Sequence, residues 1–335
     1  METEALSASS VVAAQQTLTD ERIVALARWL AQARPKLALT VARGSSDHAA
    51  NYFAYLAMRR LGVPVVSLPM SLITLHGAPL AVAGQFALAI SQSGESPDLV
   101  ETMSALRIAG ATTAAFVNRC ESPLAERCEW VVPLGAGEER SVAATKSYIA
   151  ALAAVARLVA RWQGDALLLR AIDSLPERLE AAAAVDVHGF VESLLTAERC
   201  MVVGRGLGFA VALEAALKLK EVCQLQAEAF SSAEVRHGPM ALIDGGYPLV
   251  VFALRGAEQA GTIELANDMR ARGARVILAA PAGIDADVTL PTADDEVLDP
   301  IVAIQSFYLA VAKLAEARGL NVDLPRHLAK VTRTH

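Results

Sequence analysis

The chain has 335 residues, enough for two domains of ordinary size, and 54% of them are hydrophobic while 20% are charged. This composition supports large apolar cores and argues against an intrinsically disordered chain. The formal net charge is -6 and the basic residues form no cluster, which argues against nucleic acid as the main partner.

Cysteine usage and hydropathy bear on the cellular setting. The cysteines are Cys120, Cys128, Cys200 and Cys223. They show no C-x-x-C spacing, so we expect free thiols and a reducing, cytoplasmic location. Residues 1–16 lack the basic region and apolar core of a signal peptide. The apolar stretch 148–159 is too short to span a bilayer, so it predicts a buried helix and no membrane partner.

The first half alternates between short apolar runs and helical periods. Residues 1–18 are small and polar, which predicts a loosely docked arm. A helix capped by Thr19 or Asp20 follows and ends before Pro35. We expect strands at 37–42, 63–68, 86–90, 112–118 and 130–134, and helices at 47–61 and 97–109. The alternation predicts an α/β fold with a doubly wound parallel sheet.

The second half repeats the first. Residues 40–45 match residues 202–207, so that Arg43-Gly44 pairs with Arg205-Gly206. Residues 88–94 pair with 250–256 at the same offset. We therefore expect two tandem flavodoxin-like domains related by duplication. Their predicted limits are 20–164 and 186–320, followed by a tail at 321–335.

A serine-rich turn that follows a buried strand is the candidate ligand site of the first half. This turn, Ser91-Gln-Ser-Gly-Glu-Ser96, lies between the strand at 86–90 and the next helix. The amides of a helix N-terminus and the serine hydroxyls together favour a phosphate monoester. The alternative is a plain helix cap, because serine is a favoured N-cap residue. The matching turn at 253–256 lacks the serines, which favours ligand binding.

Charged residues on one predicted helix are the candidates for proton transfer. Glu214 and Lys218 lie four residues apart, and such a pair is either functional or a plain surface ion pair. Glu221 lies near the apolar stretch that ends the helix. A carboxylate in that position is suited to act as a base.

Two further candidates lie near the chain's later turns. His237 precedes Gly238-Pro239, where a histidine is more often structural than catalytic. Lys330 belongs either to a solvated basic tail or to a buried site, where a desolvated amine can form a Schiff base. The glycines of residues 204–208 do not have dinucleotide-binding spacing, and we expect neither a cofactor nor a metal.

In combination these motifs resemble the tandem sugar isomerase (SIS) domain family, in particular the isomerase half of the glutamine–fructose-6-phosphate aminotransferases. The resemblance covers residues 20–335 and rests on 91–96, 144–146, 214–221, 237–239, 323–326 and Lys330. It implies that the sugar 6-phosphate is bound by Ser46, Ser91, Gln92, Ser93 and Ser96. It also implies sugar contacts from Ser45, Val142 and Ala143.

The resemblance implies catalytic roles as well. Glu221 would move a proton between C1 and C2, with Lys218 beside it. His237 would assist ring opening in the neighbouring site of a homodimer. Lys330 would form a Schiff base with the open-chain carbonyl.

The chain departs from the aminotransferases in ways that change the expected reaction. We expect no glutaminase domain with a nucleophilic cysteine, because the first cysteine is Cys120. Arg43 and Ala144 also differ from the aminotransferase pattern. These departures resemble stand-alone glucosamine-6-phosphate deaminases, which release ammonia and fructose 6-phosphate. The alternatives are a ketoamine sugar-phosphate deglycase, a plain aldose–ketose isomerase and a non-catalytic sugar-phosphate sensor.

Overall fold

A computed structural model of the chain describes residues 1–330 and contains two compact units, each built around its own sheet. The first unit comprises Ser10–Glu139, Lys146–Asp173 and, near the chain's end, Ala329 and Lys330. The second unit comprises Met1–Ser9, Arg140–Thr145 and Ser174–Leu328. The last part of the predicted tail, residues 331–335, lies outside the described residues.

Within residues 1–330, ten strands form the two sheets. The strands of the first unit are β1 (Ala38–Val41), β2 (Val65–Ser67), β3 (Phe86–Ser91), β4 (Thr112–Val117) and β5 (Trp130–Pro133). Those of the second unit are β6 (Arg199–Gly204), β7 (Gln226–Ser231), β8 (Pro248–Phe252), β9 (Arg275–Pro281) and β10 (Val288–Leu290).

Helices connect and flank these strands. The helices up to the end of β5 are α1 (Glu2–Leu6), α2 (Ala8–Ala33), α3 (Ser45–Leu61), α4 (Ser71–Thr74), α5 (Pro97–Ile108) and α6 (Pro123–Arg127). Those that follow are α7 (Lys146–Gln163), α8 (Ala166–Asp173), α9 (Leu175–Ala183), α10 (His188–Leu194), α11 (Leu207–Cys223), α12 (Ser232–Val235), α13 (Gln259–Ala271) and α14 (Asp299–Ala317). Short 3-10 helices cover Pro239–Leu242 and Glu296–Leu298.

Both sheets are parallel and have the same topology. The first has the strand order β2-β1-β3-β4-β5, and the second has the equivalent order β7-β6-β8-β9-β10. The register also repeats, because Thr40 lies opposite Leu88 and the equivalent Val202 lies opposite Val250. The predicted fold of two flavodoxin-like repeats is confirmed.

The turns after the first strand of each sheet have the same backbone. Gly44 precedes α3 with φ 55° and ψ -133°, and Gly206 precedes α11 with φ 58° and ψ -131°. Side chains disfavour this positive φ region, which explains why both repeats keep glycine there. Both repeats have thus kept the same backbone conformation at the start of this helix.

The prediction of a loosely docked arm at residues 1–18 is wrong. Helix α2 begins at Ala8, and Thr19 lies inside it, where its hydroxyl donates to the Gln15 carbonyl at 2.9 Å. Within the first unit, the Gln15 side-chain amide donates to the carbonyls of Leu134 at 2.6 Å and Ala150 at 2.9 Å. The buried residues in the first half of this helix are small or polar, apart from Val12: Ala8, Ser9, Val12, Gln15 and Thr19. This half therefore lacks the large-residue periodicity that reveals a helix in a sequence.

Two long helices are almost fully buried. Helix α7 is buried from Ser147 to Ala160, as the apolar run predicted. The segment Glu296–Ala317, which includes α14, is long and apolar enough to cross a membrane, but 94% of its apolar window is buried in the protein. In the second unit, the Phe307 ring packs edge-on against Phe190 and Phe252 at centroid distances of 5.7 and 6.0 Å. Helix α14 therefore acts as a core helix.

Candidate functional site

The crevice of the first unit lies at the carboxyl ends of β1 and β3. These strands are neighbours in the sheet, and the strand order reverses direction between them. In open α/β sheets, such a switch point is where ligands bind. Ser45 and Ser46 start the helix that follows β1, and residues 91–96 connect β3 to the helix that begins at Pro97. The fold thus brings the predicted phosphate-binding residues to one edge of the sheet.

Residues 91–96, which we call the serine turn, are held by their own hydroxyls. The Ser91 Oγ accepts from the Gly94 amide at 3.0 Å, and the Ser93 Oγ accepts from the Glu95 amide at 3.3 Å. A serine oxygen that accepts a bond can still donate its own proton. Ser96 is the N-cap residue of α5, but its side chain makes no capping hydrogen bond.

Gly94 is required by the packing of the serine turn. Its φ is +67°, and a Cβ atom on it would lie 2.7 Å from the Ser122 Cβ and 3.0 Å from Val117 Cγ2, with Ser122 Oγ nearer still. The Gly94 carbonyl also accepts from the Leu124 amide at 3.1 Å. The turn therefore lies directly on the loop that starts α6, and no larger residue fits.

An ion pair that sequence reasoning missed joins the two turns of this crevice. Arg43 donates from Nε and Nη2 to the Asp98 Oδ2 at 3.0 and 2.9 Å. Asp98 lies in the first turn of α5 and is 2% exposed, while 58% of the Arg43 side chain is exposed. Nearby, burial raises the pKa of Asp47, although His48 and Arg43 oppose this shift. The guanidinium thus offsets the charge of the buried Asp98 carboxylate, two residues after the serine turn.

The equivalent crevice of the second unit contains a carboxylate. The Glu258 Oε1 lies 2.5 Å from the position that a Cβ on Gly206 would take, and its Oε2 lies 3.0 Å from that of Gly256. Arg255 in the same turn forms a two-point ion pair with Asp299, with both bonds at 2.7 Å. A glutamate between the two turns of the second unit would repel an anion there.

The candidate base in the second unit is held by a fully buried lysine. Lys218 Nζ donates to the Glu221 Oε2 at 2.5 Å and lies 3.4 Å from the Glu214 Oε1. The Lys218 and Glu214 side chains are 1% and 0% exposed, so the surface interpretation of this pair is wrong. Burial would lower the pKa of Lys218, but the two carboxylates outweigh it and raise that pKa above its usual value. Lys218 is therefore an ammonium, and 22% of the Glu221 side chain stays exposed.

The loop that carries Val142 and Ala143 is anchored through its backbone. The Glu4 carboxylate accepts from the Arg140 amide at 2.5 Å and from the Ser141 amide at 3.0 Å. The Val142 amide donates to the Asp323 carbonyl at 3.1 Å. The second unit thus fixes this loop from α1 and from the segment after α14.

Lys330 is half-buried and paired. Its Nζ donates to the Glu139 Oε2 at 3.0 Å, and 28% of its side chain is exposed. The Glu139 side chain is fully buried and also accepts from the Ser147 amide and hydroxyl, at 3.0 and 2.7 Å. The sequence left open whether Lys330 lies in a solvated tail or in a buried site. The structure matches neither alternative fully, because Lys330 has both a partner and contact with solvent.

His237 lies apart from the charged helix residues of the same unit. It is exposed, and its backbone amide donates to the Glu234 carbonyl at 2.9 Å in a turn. Among residues 1–330, no hydrogen bond or ion pair joins its side chain to Lys218 or Glu221. The same residues contain no group of three or more histidine, cysteine or acidic side chains placed to hold a metal ion.

Comparison with known proteins identifies the family. The model of the SIS domain matches residues 30–161 and 193–314. The glutamine–fructose-6-phosphate aminotransferase (isomerizing) of Symbiobacterium thermophilum is 33% identical over 309 residues. That match covers 87% of this chain and 50% of the relative, so the chain spans about half the length of the curated relatives it matches.

Solved structures share the whole fold. A protein of Silicibacter pomeroyi DSS-3, provisionally named a phosphosugar isomerase, is 36% identical with a TM-score of 0.92, over 96% of this chain and 99% of that one. The C-terminal domain of glucosamine-fructose-6-phosphate aminotransferase from Francisella tularensis is 26% identical with a TM-score of 0.82, over 96% and 97%. The chain belongs to the SIS domain family.

Proposed function

We propose that the chain is an amino-sugar-phosphate deaminase that isomerises glucosamine 6-phosphate and releases ammonia. The observation that carries the proposal is the pair of Lys218 and Glu221. A buried ammonium fixes the Glu221 carboxylate at 2.5 Å, while 22% of the Glu221 side chain stays exposed and available to a substrate. A positioned carboxylate of this kind is a general base for moving a proton between adjacent carbons.

The serine turn is the proposed phosphate anchor. Ser91, Gln92, Ser93 and Ser96 offer side-chain donors, and Ser46 offers another from the neighbouring turn. The lack of a capping bond from Ser96 supports ligand binding over a plain cap. The 12 residues of α5 add the partial positive charge of a helix N-terminus. Ser45, Val142 and Ala143 are the proposed contacts to the sugar.

The proposed reaction starts from the open-chain aldose. His237, from the neighbouring subunit of a homodimer, helps open the ring. Glu221 removes the proton from C2 while the C1 aldehyde oxygen gains one, which gives an enaminol. Return of a proton to C1, with loss of one from nitrogen, gives a C2 imine. Addition of water to C2 then releases ammonia and leaves fructose 6-phosphate.

Lys330 offers a second route for the last step. Its amine can attack C2 of the imine and displace ammonia, and water then hydrolyses the new Schiff base. Attack requires the neutral amine, and Glu139 at 3.0 Å can take up the proton that Lys330 loses. The exchange consumes one water and regenerates the lysine.

A reducing cytoplasm is the proposed setting, consistent with four free thiols.

A steady-state assay that detects ammonia from glucosamine 6-phosphate tests the proposal. We expect turnover by the wild type and a loss of at least about 10³-fold in Glu221→Gln, in line with removal of a general base. Binding of the sugar phosphate should persist in that variant. Glu228→Gln, which changes an exposed glutamate of the same unit, is the matched control and should keep wild-type turnover.

Other outcomes would replace the proposal. Isomerisation of a sugar phosphate without ammonia would show a plain aldose–ketose isomerase. Release of an amino acid from a fructosyl-amine phosphate, with no reaction of glucosamine 6-phosphate, would show a ketoamine deglycase. Tight sugar-phosphate binding with no turnover of any substrate would leave a sensor.

A further inference from the structure

A buried tyrosine lies at the far end of the hydrogen-bonded side chains that hold Glu221. Tyr308, on α14, is fully buried and donates its hydroxyl to the Glu214 Oε1 at 2.9 Å. The same oxygen lies 3.4 Å from Lys218 Nζ, which donates to Glu221. We call Tyr308, Glu214, Lys218 and Glu221 the tyrosine relay. All four residues belong to the second unit.

Exposure increases along the relay in one direction. Tyr308 and Glu214 are fully buried, the Lys218 side chain is 1% exposed, and the Glu221 side chain is 22% exposed. An isolated buried carboxylate would favour its neutral form, since burial penalises charge. The tyrosine hydroxyl and the lysine ammonium both stabilise the Glu214 anion in place of water. Tyr308, Glu214 and Lys218 therefore form a buried hydrogen-bonded group that contacts Glu221, the residue that reaches solvent.

Stability alone does not account for this arrangement. A buried ion pair gains little over apolar residues of the same size, because desolvation offsets the attraction between the charges. The spacing has a clear geometric result, however. Glu214 and Glu221 flank Lys218 at i,i-4 and i,i+3 on α11, so the ammonium sits between two carboxylates on one helix face. The position of Glu221 then depends on how firmly Glu214 holds Lys218.

We infer that Tyr308 is a positioning residue for proton transfer: its hydroxyl orients Glu214, which places the Lys218 ammonium against Glu221. This inference rests on the proposed function, in which Glu221 is the base. Tyr308 acts from a different helix, so it connects the core helix α14 to the reactive carboxylate on α11. Without its hydroxyl, Glu214 can turn fully toward Lys218 and draw the ammonium away from Glu221.

Tyr308→Phe tests the inference, because it removes only the hydroxyl. We expect kcat to fall about ten-fold, as for the loss of one hydrogen bond to a charged group, with KM changed by less than about two-fold. Tyr52→Phe is the matched control, since Tyr52 is equally buried but belongs to the first unit, and its kcat should stay within about two-fold. In the Glu221→Gln background, Tyr308→Phe should cause no further loss, because both changes act on the same step.

The outcomes separate this inference from the proposed function. If the wild type is active and Glu221→Gln is not, an unchanged kcat in Tyr308→Phe overturns the inference alone. A further loss in the Glu221→Gln background also overturns it. If the wild type is inactive on every sugar phosphate, the proposed function fails, and crystal structures decide the relay. Tyr308→Phe should then show Lys218 Nζ withdrawn from the Glu221 carboxylate, and an unmoved Lys218 would refute the inference.

Discussion

Gly94→Ala should destabilise the serine turn through both its backbone conformation and its packing. An alanine at φ +67° carries a left-handed backbone penalty of about 1 kcal/mol. Its Cβ would also lie 2.7 Å from the Ser122 Cβ, so Ser122 must move. Ser122 caps α6 by accepting from the Ala125 amide at 3.4 Å, and loss of a cap costs about 1 kcal/mol. Together with overpacking of about 1–2 kcal/mol, we expect a destabilisation of about 3–4 kcal/mol.

The control for Gly94→Ala is Gly62→Ala. Gly62 has the same φ of +67°, and a Cβ there would meet nothing within 4 Å. Urea unfolding of both variants therefore separates the backbone penalty from the clash, and Gly62→Ala should lose only about 1 kcal/mol. Calorimetric titration with glucosamine 6-phosphate should show weakened binding in Gly94→Ala alone. Equal stability and equal binding in the two variants would refute the account of the serine turn.

Two further predictions concern stability and thiol reactivity. Arg43→Ala should destabilise the protein by about 1–2 kcal/mol, because it removes the ion pair with Asp98, which is 2% exposed. Arg119→Ala breaks the more exposed pair with Glu95 and should cost less than about 0.5 kcal/mol. Equal losses of unfolding free energy in the two variants, measured by urea unfolding, would contradict the stabilising role of the Arg43–Asp98 pair. Burial raises the pKa of Cys128, Cys200 and Cys223 to about 12, while Cys120 is exposed. A disulfide reagent at pH 8 should therefore modify one thiol in the native protein and four after denaturation. More than one fast-reacting thiol in the native protein would count against these burial assignments.

The fold was predictable where the signal was local. The run at 86–90 is apolar at every position, and it becomes the fully buried β3. The repeat predicted which residues correspond, and the strand register agrees, with Thr40 opposite Leu88 and Val202 opposite Val250. The N-terminal helices were missed because Ala5 and Ala8 are small, although both are fully buried. Small residues bury well but produce little periodic contrast.

The candidate site was predictable only in part, because some of its residues have partners that are far away in the sequence. Lys218 and Glu221 are three residues apart, so helical spacing alone places them on one face. The pattern of Glu214 and Lys218 does not distinguish a surface pair from a buried one, since burial depends on α14. Tyr308 bonds Glu214 from 94 residues away, and Lys330 bonds Glu139 across 191 residues. Such partners become visible only after the chain has folded.

The most direct test of the central claim follows ammonia and fructose 6-phosphate together in one time course with glucosamine 6-phosphate. The account predicts that both products appear in equal amounts with the wild type. With Glu221→Gln both should form at least about 10³-fold more slowly, although that variant still binds the substrate. Equal turnover by Glu221→Gln, or no ammonia from folded wild-type protein, would contradict the account.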